Sequence, residues 1–155
     1  MYRRILVPVE NSGYDQAILE HVRELARLCK ASIVLIHVAD GFAARNAKQL
    51  NLRESEEMRL DLDYLDRLTA DLEREGLDAE SILAGGEPSR EIAAAADRER
   101  CDLIAMSTHG HRFVKDLLYG SVANEVRHIS KVPVLLVRGG PEADAARAAA
   151  KETGA

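Results

Sequence analysis

The chain has 155 residues, 46% of them hydrophobic, a length and composition that predict one domain with a sizeable core. Its formal net charge of -5 at pH 7 argues against a protein that binds duplex nucleic acid, because such proteins usually carry a basic stripe. The apolar runs are far shorter than the roughly 20 residues that span a bilayer, and no secretory signal is evident, so we expect a cytoplasmic protein without a membrane segment.

The first half of the chain alternates between strand and helix patterns. Residues 2–9 predict a short strand, and residues 10–13 supply turn and helix-start chemistry before an apolar stripe at helical spacing. That stripe consists of Ile18, Val22, Leu25, Leu28 and Cys29. Residues 32–38 are almost unbroken in apolar side chains, as parallel strands covered on both faces tend to be, and predict a second strand. Residues 40–52 have no clean period and predict a loop.

A second helix follows, with its apolar side chains at Met58, Leu62, Leu65, Leu68 and Leu72. It is predicted to end near Gly76. Residues 54–80 contain eleven acidic side chains and three basic ones, and this excess of charged residues predicts a solvated helix face. A third strand fits residues 79–84 and is predicted to end at the two glycines that follow.

The rest of the chain repeats the same rhythm. Pro88 suits a first helical turn, and the helix continues through residues 92–96. The remaining predicted elements are a strand at 102–107, a helix at 121–129 and a strand at 133–138. This alternation predicts an α/β fold: an open, five-stranded, mostly parallel, Rossmann-like sheet with helices on both faces. We expect one domain over residues 1–139 and a frayed or weakly helical tail, rich in alanine, glycine and charge, over residues 140–155.

Ligands of open α/β sheets bind beyond the carboxyl ends of the strands, where the strand order reverses. The stretch after the fourth strand, Met106 to Val122, combines a glycine-containing loop, several hydrogen-bond donors and a predicted helix start. A phosphate chain needs backbone N–H groups, little side-chain bulk and a helix N-terminus, and Gly110, Gly120 and Ser121 meet these needs. The alternative interpretation is a turn glycine at Gly110 and a helix cap at Ser121.

The same stretch resembles the motif of the nucleotide-binding universal stress proteins, Gly-x2-Gly-x9-Gly-Ser/Thr. Gly110, nine intervening residues, Gly120 and Ser121 match its spacing. Residues 4–9 and 119–137 are also similar to that family, and the resemblance covers residues 2–138. It implies the universal stress protein fold and a module that binds ATP or another adenine nucleotide, with or without Mg²⁺, in stress response or regulation.

The resemblance also implies the residues of the site. They are Pro8, Glu10, Val38, Met106, Ser107, Gly110, Gly120, Ser121 and Val122. Pro8 and Glu10 would line the nucleoside, Val38 would touch the adenine, and Met106 and Ser107 would border the ribose. The last four would hold the phosphates through backbone amides and the serine hydroxyl. Plain core packing explains Val38 and Met106 equally well.

Two residues depart from the family pattern. Ser107 stands where the motif has its first glycine, which adds a Cβ and a hydroxyl to the backbone. Glu10 stands where the family usually has aspartate, which carries the carboxylate one methylene further out. Ser107 predicts weaker nucleotide binding, whereas the longer side chain of Glu10 could either still reach a ribose hydroxyl or crowd the pocket. Both departures favour a second interpretation: a stress-induced dimer of the same fold that binds no nucleotide.

An enzyme is the third interpretation. Related nucleotide-activating ligases have a Ser-Gly-Gly-x-Asp-Ser loop after the first strand, and residues 11–16 match it poorly. Neither H-E-x-x-H nor a Walker-type loop occurs, so we expect no catalytic residues and at most slow, incidental ATP hydrolysis. His109 and His111 lack a third ligand of suitable spacing, so we expect no metal site.

The last predicted strand also indicates how the protein assembles. Members of the family commonly dimerise through this strand, which here is Pro133 to Arg138 and is mostly apolar. An exposed apolar edge would otherwise pair with other chains. We therefore expect a homodimer through this strand, with a regulatory protein of unknown identity as a further partner.

Overall fold

The computed structural model describes residues 1–40, 52–108 and 117–154, and strands and helices alternate along them. The strands are β1 (Arg4–Pro8), β2 (Ser32–Asp40), β3 (Ala79–Gly86), β4 (Leu103–Thr108) and β5 (Val134–Arg138). The helices are α1 (Asp15–Cys29), α2 (Leu52–Arg74), α3 (Pro88–Arg98), α4 (Leu117–Ile129) and α5 (Pro141–Glu152). In these parts of the chain no helix is long and apolar enough to cross a membrane. The predicted loop at 40–52 lies almost wholly outside the described residues.

The five strands form one parallel sheet in the order β3-β2-β1-β4-β5, which confirms the predicted fold. The chain winds outward from β1 through β2 to β3 and then returns to place β4 on the other side of β1. The strand order therefore reverses between β1 and β4. In open α/β sheets a ligand-binding crevice lies at such a reversal, beyond the carboxyl ends of the two strands, which here are Pro8 and Thr108.

The sheet is covered on both faces because its strands are apolar on both sides. On one face, here called the α1 face, strand residues such as Ile5, Leu35 and Ala105 pack with Ile18 and Leu65 of the covering helices. On the other, the α3 face, the strand and helix residues that pack together include Leu6, Ile36, Ile104, Ile92 and Val126. Two continuous cores thus fix the sheet between helix layers.

Two predicted helix stripes are only partly correct. Leu28 was predicted to be buried, yet it is 84% exposed, because at 100° per residue it lies roughly 160° round the α1 axis from the buried Ala26. Met58 and Leu62 of α2 are also exposed, whereas Leu65 and Leu72 are buried. Met58 lies on the same side of α2 as Leu65, two turns earlier, but it is not among the residues that pack against the core of the α1 face. Leu62 lies about 120° round the helix axis from Leu68, away from the core.

Two further boundaries differ from the prediction. The third strand does not end at its glycines: Gly85 and Gly86 continue the ladder opposite Ala39 and Asp40. The pairing offsets the low strand propensity of glycine. The C-terminal tail, predicted to be frayed or weakly helical, is a regular helix from Pro141, because proline suits the first turn and the alanines that follow are strong helix formers.

Ion pairs attach α5 to α1. The ammonium of Lys151 lies 2.6 Å from Oε1 of Glu20, and Nε of Arg147 lies 3.5 Å from its Oε2. Arg147 Nη1 also donates to the carbonyl of Arg138 at the end of β5, at 3.2 Å. None of the α5 residues is buried, so polar contacts rather than apolar packing hold this helix.

Candidate functional site

A turn at the carboxyl end of β1 leads into α1 and borders the crevice. Its organiser is Asp15, the first residue of α1, whose side chain is buried at 2% exposure. The carboxylate accepts hydrogen bonds from the backbone N–H groups of Glu10 (3.0 Å), Asn11 (2.9 Å) and Ser12 (3.3 Å). Three successive amides are thus held by one side chain, which fixes the path of the turn.

The hydroxyl of Tyr64 on α2 donates to the same carboxylate at 2.6 Å. Burial, together with this hydrogen bond and the negative charge of Asp15, raises the pKa of Tyr64 above its ordinary value, so the phenol stays protonated and remains a donor. The bond joins α2 to the turn after β1. Sequence analysis missed both residues. An aspartate at a helix start was the available signal for Asp15.

A second contact joins α2 to the same turn. His37 of β2 places Nδ1 2.8 Å from the carbonyl oxygen of Val9 and Nε2 3.2 Å from Oδ2 of Asp61. The amide of Asn11 reaches Oδ1 of Asp61 at 3.5 Å. Asp61 belongs to the acidic stretch that was predicted to be only a solvated helix face. For Asp61 that interpretation is wrong, because the side chain turns toward β2.

The predicted nucleoside residues come together on the α3 face. Met106, a buried residue, belongs to the core cluster of that face, and Val38 and Val122 pack against it. Pro8 ends β1 two residues after Leu6 and lies on the same side of the sheet by strand alternation. Glu10 follows β1 in the turn held by Asp15. A half-buried apolar surface therefore lies beside a carboxylate-bearing turn.

Ser107 does not join this group. Its hydroxyl donates to the carbonyl of Tyr14 at 3.0 Å, so the side chain lies on the α1 face, whereas the neighbouring Met106 belongs to the α3 face. A Cβ built on Gly139 would lie only 2.6 Å from the Ser107 hydroxyl. The residue that replaces the motif's first glycine therefore stabilises the junction of β4, α1 and the chain after β5.

The phosphate half of the predicted site is described in part. Gly110 lies outside the described residues, as do His109 and His111. Gly120 and Ser121 are the fourth and fifth residues of α4, because this helix begins at Leu117. The prediction that the helix starts at Ser121 is wrong: glycine in a first turn costs only about 1 kcal/mol, which the leucines before it and the packing of α4 offset. The backbone N–H groups of α4 that lack an intrahelical partner lie before Gly120 and include those of residues 117–119.

Within residues 1–40, 52–108 and 117–154, no group of three or more His, Cys, Asp or Glu side chains has a geometry that could hold a metal ion. Cys29 and Cys101 are both free thiols. Burial raises the pKa of the Cys101 thiol to about 11, so this cysteine stays protonated in the core.

An open parallel sheet, helices on both faces and a crevice at the reversal of strand order define a Rossmann-like α/β domain, the class in which such crevices hold ligands. The family model of the universal stress protein family matches residues 1–138. The chain belongs to the universal stress protein family.

The relatives of this chain support the same assignment. Universal stress protein MJ0577 of Methanocaldococcus jannaschii is 29% identical over 158 aligned residues, which cover 89% of this chain and 96% of that protein. Its solved structure matches with a TM-score of 0.77 and covers 91% of this chain and 99% of that one.

Two other solved structures carry nucleotides. A universal stress protein from Archaeoglobus fulgidus in complex with dAMP matches at 22% identity with a TM-score of 0.65, over 88% of this chain and 98% of that one. A universal stress protein in complex with cAMP matches at 20% identity with a TM-score of 0.66, over 88% of this chain and 97% of that one. At these identities the likeness establishes the fold.

Proposed function

We propose that this universal stress protein is a cytoplasmic adenine-nucleotide-binding module, with ATP as its nucleotide, and that it acts in stress response or regulation without being an enzyme. The observation that carries the proposal is that Val38, Met106 and Val122 belong to or pack against one apolar cluster on the α3 face of a sheet whose strand order reverses between β1 and β4. The dAMP and cAMP complexes of proteins with the same fold support it.

The described residues fit the chemistry of a nucleoside. A purine needs an apolar surface with a few placed polar groups, and the half-buried Val38 offers the former. A ribose hydroxyl needs an acceptor, and Glu10 carries its carboxylate on a turn whose backbone is already fixed by Asp15. The first-turn amides of α4 would meet the phosphates, with or without Mg²⁺.

The binding proposal has a direct test. We expect ATP, ADP or AMP to bind with a dissociation constant on the order of micromolar in titration calorimetry. Gly120→Val is expected to abolish binding, because the branched side chain would stand at the first-turn amides of α4. Glu125→Val is the matched control: it adds the same side chain on the exposed face of α4 and should leave binding unchanged.

Affinity no tighter than millimolar for all three nucleotides, with and without Mg²⁺, would overturn the proposal. The stress-induced dimer of the same fold that binds no nucleotide would then be the better interpretation, which the Glu10 and Ser107 departures favour. Ser107 favours the dimer without nucleotide less than its position in the motif suggests. Its hydroxyl donates a hydrogen bond to the carbonyl of Tyr14, so the side chain lies on the α1 face, away from Met106.

We also propose a homodimer through β5, in which nucleotide occupancy changes a surface that a regulatory protein reads. The proposal takes residues 1–139 as the family domain and residues 140–155 as an appended segment. β5 lies at the edge of the sheet, and its Leu136 is 42% exposed. An exposed apolar edge strand is an aggregation hazard that pairing with a second copy across a two-fold axis removes.

Light scattering tests the dimer. The wild type is expected to be dimeric, and Leu136→Pro is expected to give monomer or aggregate, because proline removes a donor from the edge strand. Leu28→Ser, which removes an exposed leucine from α1, should leave the dimer intact. A wild type that remains monomeric at high concentration would contradict this assembly.

A further inference from the structure

The outer edge of β5, the last strand in the sheet order, presents backbone groups that face away from β4. On the inner edge, the N–H of Gly139 and the carbonyl oxygen of Pro133 are bonded to β4, at 2.8 and 3.0 Å. A trans peptide unit points its N–H and its C=O in opposite directions. The carbonyl of Arg138 and the N–H of Val134 therefore face outward, at the two ends of β5.

One of these outward groups is bonded to the C-terminal helix. Nη1 of Arg147 on α5 donates to the carbonyl oxygen of Arg138 at 3.2 Å. Two carboxylates hold the guanidinium in place, because Nη2 bonds Asp144 one turn earlier on α5 and Nε lies 3.5 Å from Oε2 of Glu20 on α1. The side chain of Arg147 is only 29% exposed. A charged side chain therefore covers one end of the edge strand, a device that limits pairing with other strands.

The attachment of α5 is suited to reversible movement. Gly140, the residue before the helix, has a φ of 111°, a conformation that favours glycine and that places a flexible joint between the sheet and α5. Besides Arg147, the helix is held by Lys151, whose ammonium lies 2.6 Å from Glu20. The side chains of Lys151 and Glu20 are 69% and 40% exposed, and ion pairs this exposed contribute little. The contact between Arg147 and β5 can therefore open without disturbing the core.

We propose that α5 is an autoinhibitory element of assembly: Arg147 occupies the Arg138 carbonyl, and two copies pair completely along β5 only when α5 detaches. We call this contact between Arg147 and Arg138 the edge cap. The inference rests on the proposed homodimer through β5, and it names the element that regulates that dimer. The family model ends at residue 138, so the edge cap belongs to the segment that follows the family domain.

The geometry of an antiparallel pair shows what the edge cap blocks. With a two-fold axis through Leu136, the Val134 N–H of one copy donates to the Arg138 carbonyl of the other, because both positions lie two residues from the axis. Symmetry places this bond at both ends of the ladder. A carbonyl oxygen can accept twice, but two N–H donors at one oxygen repel each other, so Arg147 and the second copy compete for it. The capped dimer therefore lacks its two end bonds.

Sedimentation equilibrium of the full chain tests the proposal. Arg147→Ala removes the edge cap and keeps a strong helix former in α5, and we expect it to tighten the dimer about tenfold, since two backbone hydrogen bonds become available. Glu20→Gln removes the ion pairs that hold Arg147 and Lys151, and it should tighten the dimer by a smaller factor. Arg90→Ala removes an exposed arginine from α3 and should leave the dissociation constant unchanged.

Salt and hydrogen exchange examine the same step in other ways. Raising the salt concentration from about 0.05 to 0.5 M screens the ion pairs of α5, so it should tighten the wild-type dimer more than the Arg147→Ala dimer. Within the dimer, the Val134 amide should exchange more slowly in Arg147→Ala than in the wild type. The Leu136 amide lies at the axis, away from the edge cap, and should be protected equally in both proteins.

The outcomes separate the edge cap from the proposed homodimer. A dimeric wild type with an unchanged or weaker dimer in Arg147→Ala, or with equal exchange of the Val134 amide in both proteins, would overturn the edge cap and leave the homodimer standing. A monomeric wild type with a dimeric Arg147→Ala would refute the wild-type homodimer and support the edge cap. A protein that stays monomeric in both forms would overturn both.

Discussion

Replacing Asp15 with alanine is expected to lower the free energy of unfolding by about 3 kcal/mol, because it leaves several buried donors without an acceptor. The carboxylate accepts from three backbone amides of the turn after β1 and from the Tyr64 hydroxyl, and it is only 2% exposed. Urea denaturation followed by circular dichroism measures the loss. The same variant should weaken nucleotide binding, since the turn that carries Glu10 loses its anchor.

Tyr64→Phe is the matched control for this prediction. It removes one hydrogen bond to Asp15 and leaves the three amides paired, so we expect a loss of about 1 kcal/mol. An equal loss in Asp15→Ala and Tyr64→Phe would show that the amides find other acceptors and that Asp15 does not organise the turn.

Gly139→Ala is expected to destabilise the protein by about 2 kcal/mol through overpacking. A Cβ at this position would lie 2.6 Å from the Ser107 hydroxyl and 2.9 Å from the carbonyl oxygen of Tyr14. The hydroxyl can rotate away, but the carbonyl belongs to the backbone at the start of α1. Thermal unfolding should show the loss as a lower Tm.

Gly85→Ala provides the control for Gly139→Ala. Among the residues that the structure describes, no atom apart from those of its chain neighbours lies within 4 Å of a Cβ built at Gly85, so this variant should be neutral or slightly stabilising. Adding Ser107→Gly to Gly139→Ala should recover part of the stability, because it removes the nearer of the two clashing atoms. A Gly139→Ala protein as stable as the wild type would contradict the close approach of the chain after β5 to Tyr14.

The fold could be predicted because its strongest signals are local. The apolar run at 32–38 indicates a strand buried on both faces, and the alternation of such runs with helical stripes leaves few topologies. The ends of elements were less predictable because pairing and packing decide them. Gly85 and Gly86 stay in β3 because Ala39 and Asp40 continue β2 beside them, which no pattern within residues 79–86 indicates.

The candidate site also divides into residues that could be predicted from the sequence and contacts that could not. Resemblance led to Val38, Met106 and Val122, and the structure places them on one face of the sheet. The contacts that join α2 to the site were not predicted, because they connect residues distant in sequence: the Tyr64 hydroxyl donates a hydrogen bond to a carboxylate 49 positions earlier. Asp61 was hidden in an acidic stretch, where only its place three residues before Tyr64 on one helix face could have singled it out.

The attachment of α5 through Glu20 makes the C-terminal helix a separate unit of stability. Exposed ion pairs contribute little and are screened by salt, and α5 buries no residue that would add to them. Lys151 and Arg147 hold the pKa of Glu20 below its usual value, so the attachment is present at neutral pH and is lost as the pH falls through that lowered pKa. We therefore expect α5 to detach by local unfolding, at a free energy far below that of global unfolding, while the sheet remains folded. Ionic strength and acidity would then set how often the outer edge of β5 is released from Arg147.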